Sequence, residues 1–369
     1  AYVWQARQMN QQPMNTTSDE LTMINYQLSA YSIPSMMFKY LEMYLGTKEF
    51  DRIAQKYYND WKFKHPYPTD VKAHFEKESG KDLSWFFDEF FNTRKTIDYA
   101  LGSVNIDGNT AKITVSNRGD ITAPVVISVV KDTTISTHWF DGFEGKTTLE
   151  VPAIEGATYT IDNDGDMLEI NRRNNFQKTP VKAKFLVGLE NPKKKTLYFA
   201  PTLGYNAYDG FMLGLGFYNR VFPTKKFEFA FTPMYGFNSG TVVGLGDFKY
   251  HINSENGIFR TTTLGVNVRS FNQRENEGDG YHLRYTIYEP SVRFELKRQD
   301  ISPTKQFITL SYKNIGEEGA ARDSVGNFIG KGTAGRDVFE GRYELKRNTA
   351  FSKSSITFSV LSETYSKLG

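Results

Sequence analysis

From about residue 182 onward the chain alternates, residue by residue, between large apolar side chains and small or charged ones, and nothing else in it restricts the fold so tightly. Phe211, Leu213, Leu215 and Phe217 alternate with Met212, Gly214, Gly216 and Tyr218. Phe227, Phe229 and Phe231 alternate with Glu228, Ala230 and Thr232, and Val292, Phe294 and Leu296 with Arg293, Glu295 and Lys297. A repeat of two is the signature of a β-strand, whose successive side chains point to opposite faces. Roughly ten such segments follow one another, each about 9–14 residues long, which suits tilted strands crossing a bilayer. The first is expected over 183–190. Long polar stretches at 273–280 and 317–335 read as loops, and 222–226 and 347–350 as tight turns. Long loops at one end and short turns at the other are a mark of outer-membrane barrels. The same alternation would serve a soluble β-sandwich or a lipocalin-like barrel with its apolar face inward, because periodicity does not say which face meets water. Arginine and glutamate recurring opposite an aromatic face favour a polar lumen.

Composition narrows the choice. The 369 residues include 29 Phe, 22 Tyr and 30 Gly, yet 24% are charged, and mean hydropathy is −0.50. The longest apolar run, 123–130, has the length of a strand, so no helix is expected to span a membrane; a barrel is not excluded, since its signal is alternation. Lys+Arg total 45 and Asp+Glu 42, a net charge of +3, with no clustered basic face of the kind nucleic acid requires. The absence of cysteine removes disulfides, thiolate zinc sites and thiol catalysis. The chain opens on Ala1 rather than Met and ends on Gly369 directly after a strand-like run, so both ends are expected to be cuts from a longer chain.

The first 96 residues have a helical period. Pro34 opens a run in which Met37, Tyr40, Leu41, Tyr44 and Leu45 share one face, and Gly46 closes it. Thr47 is expected to cap the next helix, which carries Phe50, Ile53, Ala54, Tyr57, Tyr58 and Trp61. After the stiff loop His65-Pro66-Tyr67-Pro68, Thr69 or Asp70 caps a helix through Phe75 that ends near Gly80, and Asp82 caps a last one with Trp85, Phe86, Phe87, Phe90 and Phe91. Residues 97–175 switch to short strands with turn signals at Asp141-Gly142, Glu155-Gly156 and Asp164-Gly165, the pattern of a small Ig-like β-sandwich.

Chemistry-bearing residues are sparse. The five histidines are His65, His74, His138, His251 and His282, and none is spaced as H-E-x-x-H or H-x-H. His65 and His138 read as packing or turn residues. No nucleophile elbow or phosphate-binding glycine loop is present. Asp162, Asp164 and Asp166 could ring a calcium ion, but the twelve-residue loop would end in Glu at 173, which is Arg173; a plain turn fits better.

The helical region resembles a known family. Tyr31, Pro34 and the run through Leu45-Gly46 resemble the segment that follows the metal site in zinc aminopeptidases of the aminopeptidase N family, the gluzincins. Residues 63–70 and the stretch Ser79-Gly80-Lys81-Asp82-Leu83-Ser84-Trp85-Phe86 resemble that family's next two helices, and the sandwich resembles its following β-domain. The likeness covers about 170 residues, with Ile33 standing where the family has Lys.

The resemblance implies an α + β multidomain chain: 1–96 as the end of a helical peptidase catalytic domain, 97–175 as a sandwich, and 182–369 as an antiparallel outer-membrane β-barrel that is incomplete. It implies a catalytic role for Tyr31, whose neutral hydroxyl would donate to the oxyanion of the tetrahedral intermediate. It implies zinc as the parent enzyme's cofactor, with ligands upstream of this chain, and peptides as substrates. The chain alone is then expected to be inactive, since H-E-x-x-H is missing. Fusion of such a peptidase to a barrel resembles proteins of Bacteroidota, which implies the outer membrane as location, a lipid bilayer around the barrel, and periplasmic helical and sandwich domains. The alternative is a non-enzymatic outer-membrane protein for binding or transport.

Overall fold

The computed structural model describes residues 1–177, 179–254, 257–276, 281–349 and 351–366. The chain forms two compact units: Ala1–Pro180 with Asn191–Lys195, and Val181–Glu190 with Thr196–Gly369.

The first unit begins with five α-helices: α1 (Tyr2–Arg7), α2 (Met23–Gln27), α3 (Ile33–Leu45), α4 (Thr47–Trp61) and α5 (Pro68–Ser79). A π-helical turn, Leu28–Ser32, joins α2 to α3, and another, Trp85–Phe90, follows α5. The signals at the ends of α3 act as expected: Pro34 lies in its first turn, and Gly46, at φ +86°, ends it. The start of α4 differs from expectation. Gly46 is its N-cap, with its carbonyl accepting from Phe50 N–H, while the Thr47 hydroxyl turns back to donate to Glu42 Oε1 at 2.9 Å. Helix α5 starts one residue before the anticipated cap, because Pro68 suits the first helical position. Asp70 still serves that end, its carboxylate accepting from Tyr67 N–H at 2.8 Å.

Six strands follow in two three-stranded sheets: β1 (Tyr99–Asp107), β2 (Thr110–Asn117) and β5 (Lys146–Pro152) in the order β1-β2-β5, and β3 (Val125–Lys131), β4 (Thr134–Phe140) and β6 (Thr158–Ile161) in the order β4-β3-β6. Strand β3 is the continuous apolar run of the sequence, and Val125 to Val129 are all buried. Helices and strands share one hydrophobic core, which runs from Met37, Leu41 and Ile53 to Ile113, Val125 and Ile127. Tyr40 joins the two parts. It is fully buried, donates its hydroxyl hydrogen bond to the Pro124 carbonyl, and stacks on Trp139 with ring centroids 6.0 Å apart.

The second unit is one ten-stranded antiparallel sheet. Its strands are β7 (Val181–Phe185), β8 (Lys195–Asn206), β9 (Gly210–Tyr218), β10 (Phe227–Gly236), β11 (Thr241–Asn253), β12 (Phe259–Asn276), β13 (Tyr281–Leu296), β14 (Thr304–Arg322), β15 (Phe328–Asn348) and β16 (Lys353–Ser366). Spatial order equals sequence order, and among the described residues no ladder joins β7 to β16.

Two expectations need correction here. The first strand covers 181–185 instead of 183–190, because Leu186 takes φ +58° and breaks it. The stretch 317–335 is a continuation of the hairpin rather than a loop: Glu317 pairs with Ala334, and the ladder runs to Arg322 opposite Phe328. Gly319 faces Gly332 and Ala321 faces Gly330 there, so the strands lack the large side chains that make alternation visible. Asp323 turns the chain, with its carboxylate accepting from Val325 N–H at 2.9 Å and Asn327 N–H at 2.8 Å. In the anticipated loop 273–280, β12 continues through 276 and residues 277–280 lie outside the described part.

Candidate functional site

Tyr31 sits on the π-helical turn between α2 and α3, and its side chain is 67% exposed. Such turns insert an extra residue into a helix and recur at functional positions. The start of α2, just before the turn, is held by buried amides. Gln12 Oε1 accepts from Thr22 N–H at 2.8 Å and from Asn25 Nδ2 at 3.0 Å, Gln12 Nε2 donates to Glu20 O at 2.8 Å, and Asn25 Nδ2 also donates to Asn10 O at 2.7 Å. The α2 cap adds Thr22 Oγ1, which accepts from Asn25 N–H at 3.4 Å. This polar frame fixes the segment that presents Tyr31, while Met23, Tyr26 and Met36 are exposed on the same helical segment. The phenol is thus a solvent-facing neutral donor on a braced turn.

The structure also buries two acids that sequence reasoning missed, Asp98 and Glu169, alongside Asp162 of the aspartate-rich stretch. Glu169 Oε1 accepts from Tyr99 N–H at 2.8 Å, and its second oxygen lies against the Asn175 amide. Burial pushes the Glu169 carboxyl up to about 8, against the pull of the hydrogen bonds from Asn175 and Tyr99 and helped by the nearby Asp162 and Asp98. Asp98 is pushed up to about 6, again by burial, with Asn174, Arg118 and Arg7 opposing. Asn175 Oδ1 is buried and accepts no hydrogen bond in this orientation of the amide. Turning that amide over would let Oδ1 accept from a protonated Glu169 carboxyl. A lone acid between Met167-Leu168 and Ile170 was the signal in the sequence.

Asp162, in the aspartate-rich stretch, closes a turn. Its carboxylate accepts from the N–H groups of Gly165, Asp166 and Met167, each at 3.0 Å, and Gly165 takes φ +88° with the Arg172 guanidinium packed on it. These oxygens are committed to the backbone. The histidines are dispersed: His74 is buried with Nε2 against Ile53 O, His65 is exposed, and His251 Nδ1 contacts Thr263 Oγ1 at 3.0 Å. Among the described residues no three His, Cys, Asp or Glu side chains are grouped to hold a metal.

In the second unit the register sorts side chains into two faces. Leu264, Val292, Leu310, Gly341 and Val360 form one row across β12 to β16, and Thr263, Arg293, Thr309, Arg342 and Ser359 the adjacent row on the other face. The apolar face is the open one away from the edges: Leu264, Leu310 and Phe339 are 46%, 51% and 53% exposed. The charged face is sheltered and paired, with Glu344 and Glu340 side chains only 12% and 14% exposed. Arg293 meets Glu344 at 2.6 Å, Arg342 meets Glu340 at 2.6 Å, and Lys313 meets Glu289 at 3.5 Å. On this charged face, near the β8–β9 turn, Met212, Met234 and Val243 form a small apolar cluster with Phe271. Gly214 opposite Met234 makes room, since a Cβ there would stand 2.0 Å from Pro233 O.

No family model matches the chain, and no curated protein matches it.

Proposed function

We propose that the chain belongs to a zinc aminopeptidase held in the outer membrane by its C-terminal sheet, with the first unit contributing the end of the peptidase's helical domain. The observation that carries the membrane half is the inverted polarity of the sheet. Large apolar side chains are exposed on one face over ten strands, while arginine, lysine and glutamate pair on the other. A bilayer rewards that arrangement and water penalises it. In lipid every backbone group must also be paired, so β7 and β16 must be bonded to each other or to further strands. The peptidase half rests on the resemblance around Tyr31, on its presentation as a braced, solvent-facing donor, and on the α3 geometry that Pro34 and Gly46 set. The zinc would be held by residues outside this chain, and in the assembled enzyme Tyr31 would orient a hydrogen bond toward the oxyanion.

Fractionation tests the membrane half. The chain produced in a Gram-negative host should partition with outer membranes, need detergent for extraction, and migrate faster on a gel when unheated. Recovery as a soluble protein without detergent would sink it. The peptidase half is tested on the longer parent chain by zinc content and release of N-terminal residues from peptides. A metal-free, inactive parent would leave the non-enzymatic binding or transport protein as the reading.

A further inference from the structure

The loop between α4 and α5 carries three aromatic rings and two lysines in seven residues, Trp61 to Tyr67. Phe63 is 101% exposed and Tyr67 73% exposed, and Trp61 is half-buried. The backbone at Phe63 is unusual. Lys62 has φ −50° and ψ 133°, Phe63 has φ +63°, and Lys64 N–H returns to Trp61 O at 2.9 Å. This is a type II turn with Phe63 at the position that asks for glycine or asparagine. A phenylalanine there is strained by its own Cβ and packs against nothing, so the fold gains nothing from the ring. Pro66 and Pro68 stiffen the rest of the loop, and the Asp70 bond to Tyr67 N–H fixes its exit.

The charges beside the rings are available. Lys62 Nζ donates to Asn59 Oδ1 at 3.4 Å and Lys64 Nζ to the Asp60 carbonyl at 2.6 Å, both neutral acceptors. The Asp60 carboxylate is taken by Lys56 at 2.9 Å, and that of Asp70 by the backbone. An exposed ring flanked by two ammonium groups whose hydrogen bonds go to neutral oxygens, with Trp and Tyr at its margins and Lys64 Nζ 5.8 Å over the Trp61 ring, suits the headgroup region of a bilayer carrying anionic lipid. We propose that this loop is a lipid contact of the first unit, with Phe63 entering the interface and Lys62 and Lys64 meeting anionic headgroups. The proposal is separate from the bilayer reading of the sheet.

The chain has no cysteine, so single-cysteine variants of the full chain can each carry one polarity-sensitive fluorophore. Three positions suffice: Phe63→Cys in the loop, Asn109→Cys in the exposed β1–β2 turn, and Val360→Cys on the apolar sheet face. In vesicles containing phosphatidylglycerol, the label at 63 should shift to the blue and be quenched by brominated lipid several-fold more than the label at 109. Replacing Lys62 and Lys64 by Glu should remove most of that response. A response at 360 without one at 63 overturns the proposal and leaves the sheet reading standing; a response at 63 without one at 360 does the reverse. A blue shift at 63 that depends on protein concentration and needs no vesicles would identify a second copy of the chain as the occupant and also overturn it. Phe63→Gly separates ring from fold: it should raise the unfolding midpoint of the first unit while abolishing vesicle quenching of Trp61, and unchanged quenching would count against the loop.

Discussion

Tyr31 shows what a single residue can and cannot disclose. Its hydroxyl has no role in the packing of the first unit, being exposed on a turn just after the α2 start that Gln12 and Asn25 hold. Removing the hydroxyl should therefore leave stability alone. If the chain belongs to the proposed zinc aminopeptidase, Tyr31→Phe in that enzyme should lower kcat by about 10²–10³ with KM and zinc content unchanged, the usual cost of losing one oxyanion donor. A KM effect alone would make Tyr31 a packing residue. Glu169 gives the second residue-scale prediction. Its folded value is raised from 4.5 to about 8. The stabilisation is thus whole below about 4.5 and is lost as pH rises through about 8, because the unfolded chain releases the proton first. Glu169→Gln keeps an acceptor for Tyr99 N–H and offers its amide to Asn175 Oδ1. That variant should flatten the pH dependence above pH 6, leaving the parts from Asp98, which is lost between its ordinary 3.8 and about 6, and from Asp162, whose carboxyl is also raised by burial. Tryptophan fluorescence in urea reads this out for the first unit alone, since Trp4, Trp61, Trp85 and Trp139 all lie there. An unaltered slope in the variant would place the titration elsewhere.

Among the elements, α3 was legible end to end because proline and glycine act locally, on the residues beside them. The α4 cap was not: whether Thr47 turns to the helix or to Glu42 depends on a side chain one turn back. Nor could any local signal announce that Tyr40 on α3 would bond the carbonyl of Pro124, 84 residues away. Tyr40→Phe leaves that buried carbonyl without its donor and should cost about 1–3 kcal/mol, measured as a lowered urea midpoint of the tryptophan signal. In the sheet, alternation announced β9, β10 and β13, then faded where glycine and alanine line β14 and β15. The β8–β9 turn adds a similar long-range tie. Asp209 accepts from Asn206 Nδ2 at 2.7 Å, Ser239 Oγ at 2.7 Å, and Asn272 Nδ2 at 2.6 Å, so one buried carboxylate holds two turns and β12 together. Asp209→Ala strands those donors, and should lower the thermal unfolding midpoint of the second unit by several degrees, read by circular dichroism of the sheet. The partner of Asp209 63 residues on, Asn272, had no signal in the sequence.

For the whole molecule, the sequence carried the period of the sheet but not its polarity, since water and lipid ask for opposite faces of the same pattern. The two faces differ in exposure: Leu310 on one is 51% exposed, and the Glu344 side chain on the other 12%. Phe358 and Ser359 are neighbours on β16 with opposite orientation, which makes them a matched pair. If the apolar face lies in a bilayer, Phe358→Arg should cost about 2–4 kcal/mol near the midplane and reduce the amount of heat-modifiable protein. Ser359→Arg, pointing to the charged face, should be tolerated. Equal tolerance at both positions would argue for a sheet in water. The candidate catalytic residue was legible only through a family likeness around Tyr31, because an exposed tyrosine carries no chemical signature of its own.

The order of the strands in the sheet has a kinetic consequence. Every strand from β7 to β16 is bonded to its neighbours in sequence, so among the described residues each ladder closes a loop no longer than a hairpin. The chain can add one strand at a time, and each new strand finds its template already waiting at the growing edge. A polypeptide emerging gradually, from a ribosome or through a narrow passage, could then pair in the order in which it arrives.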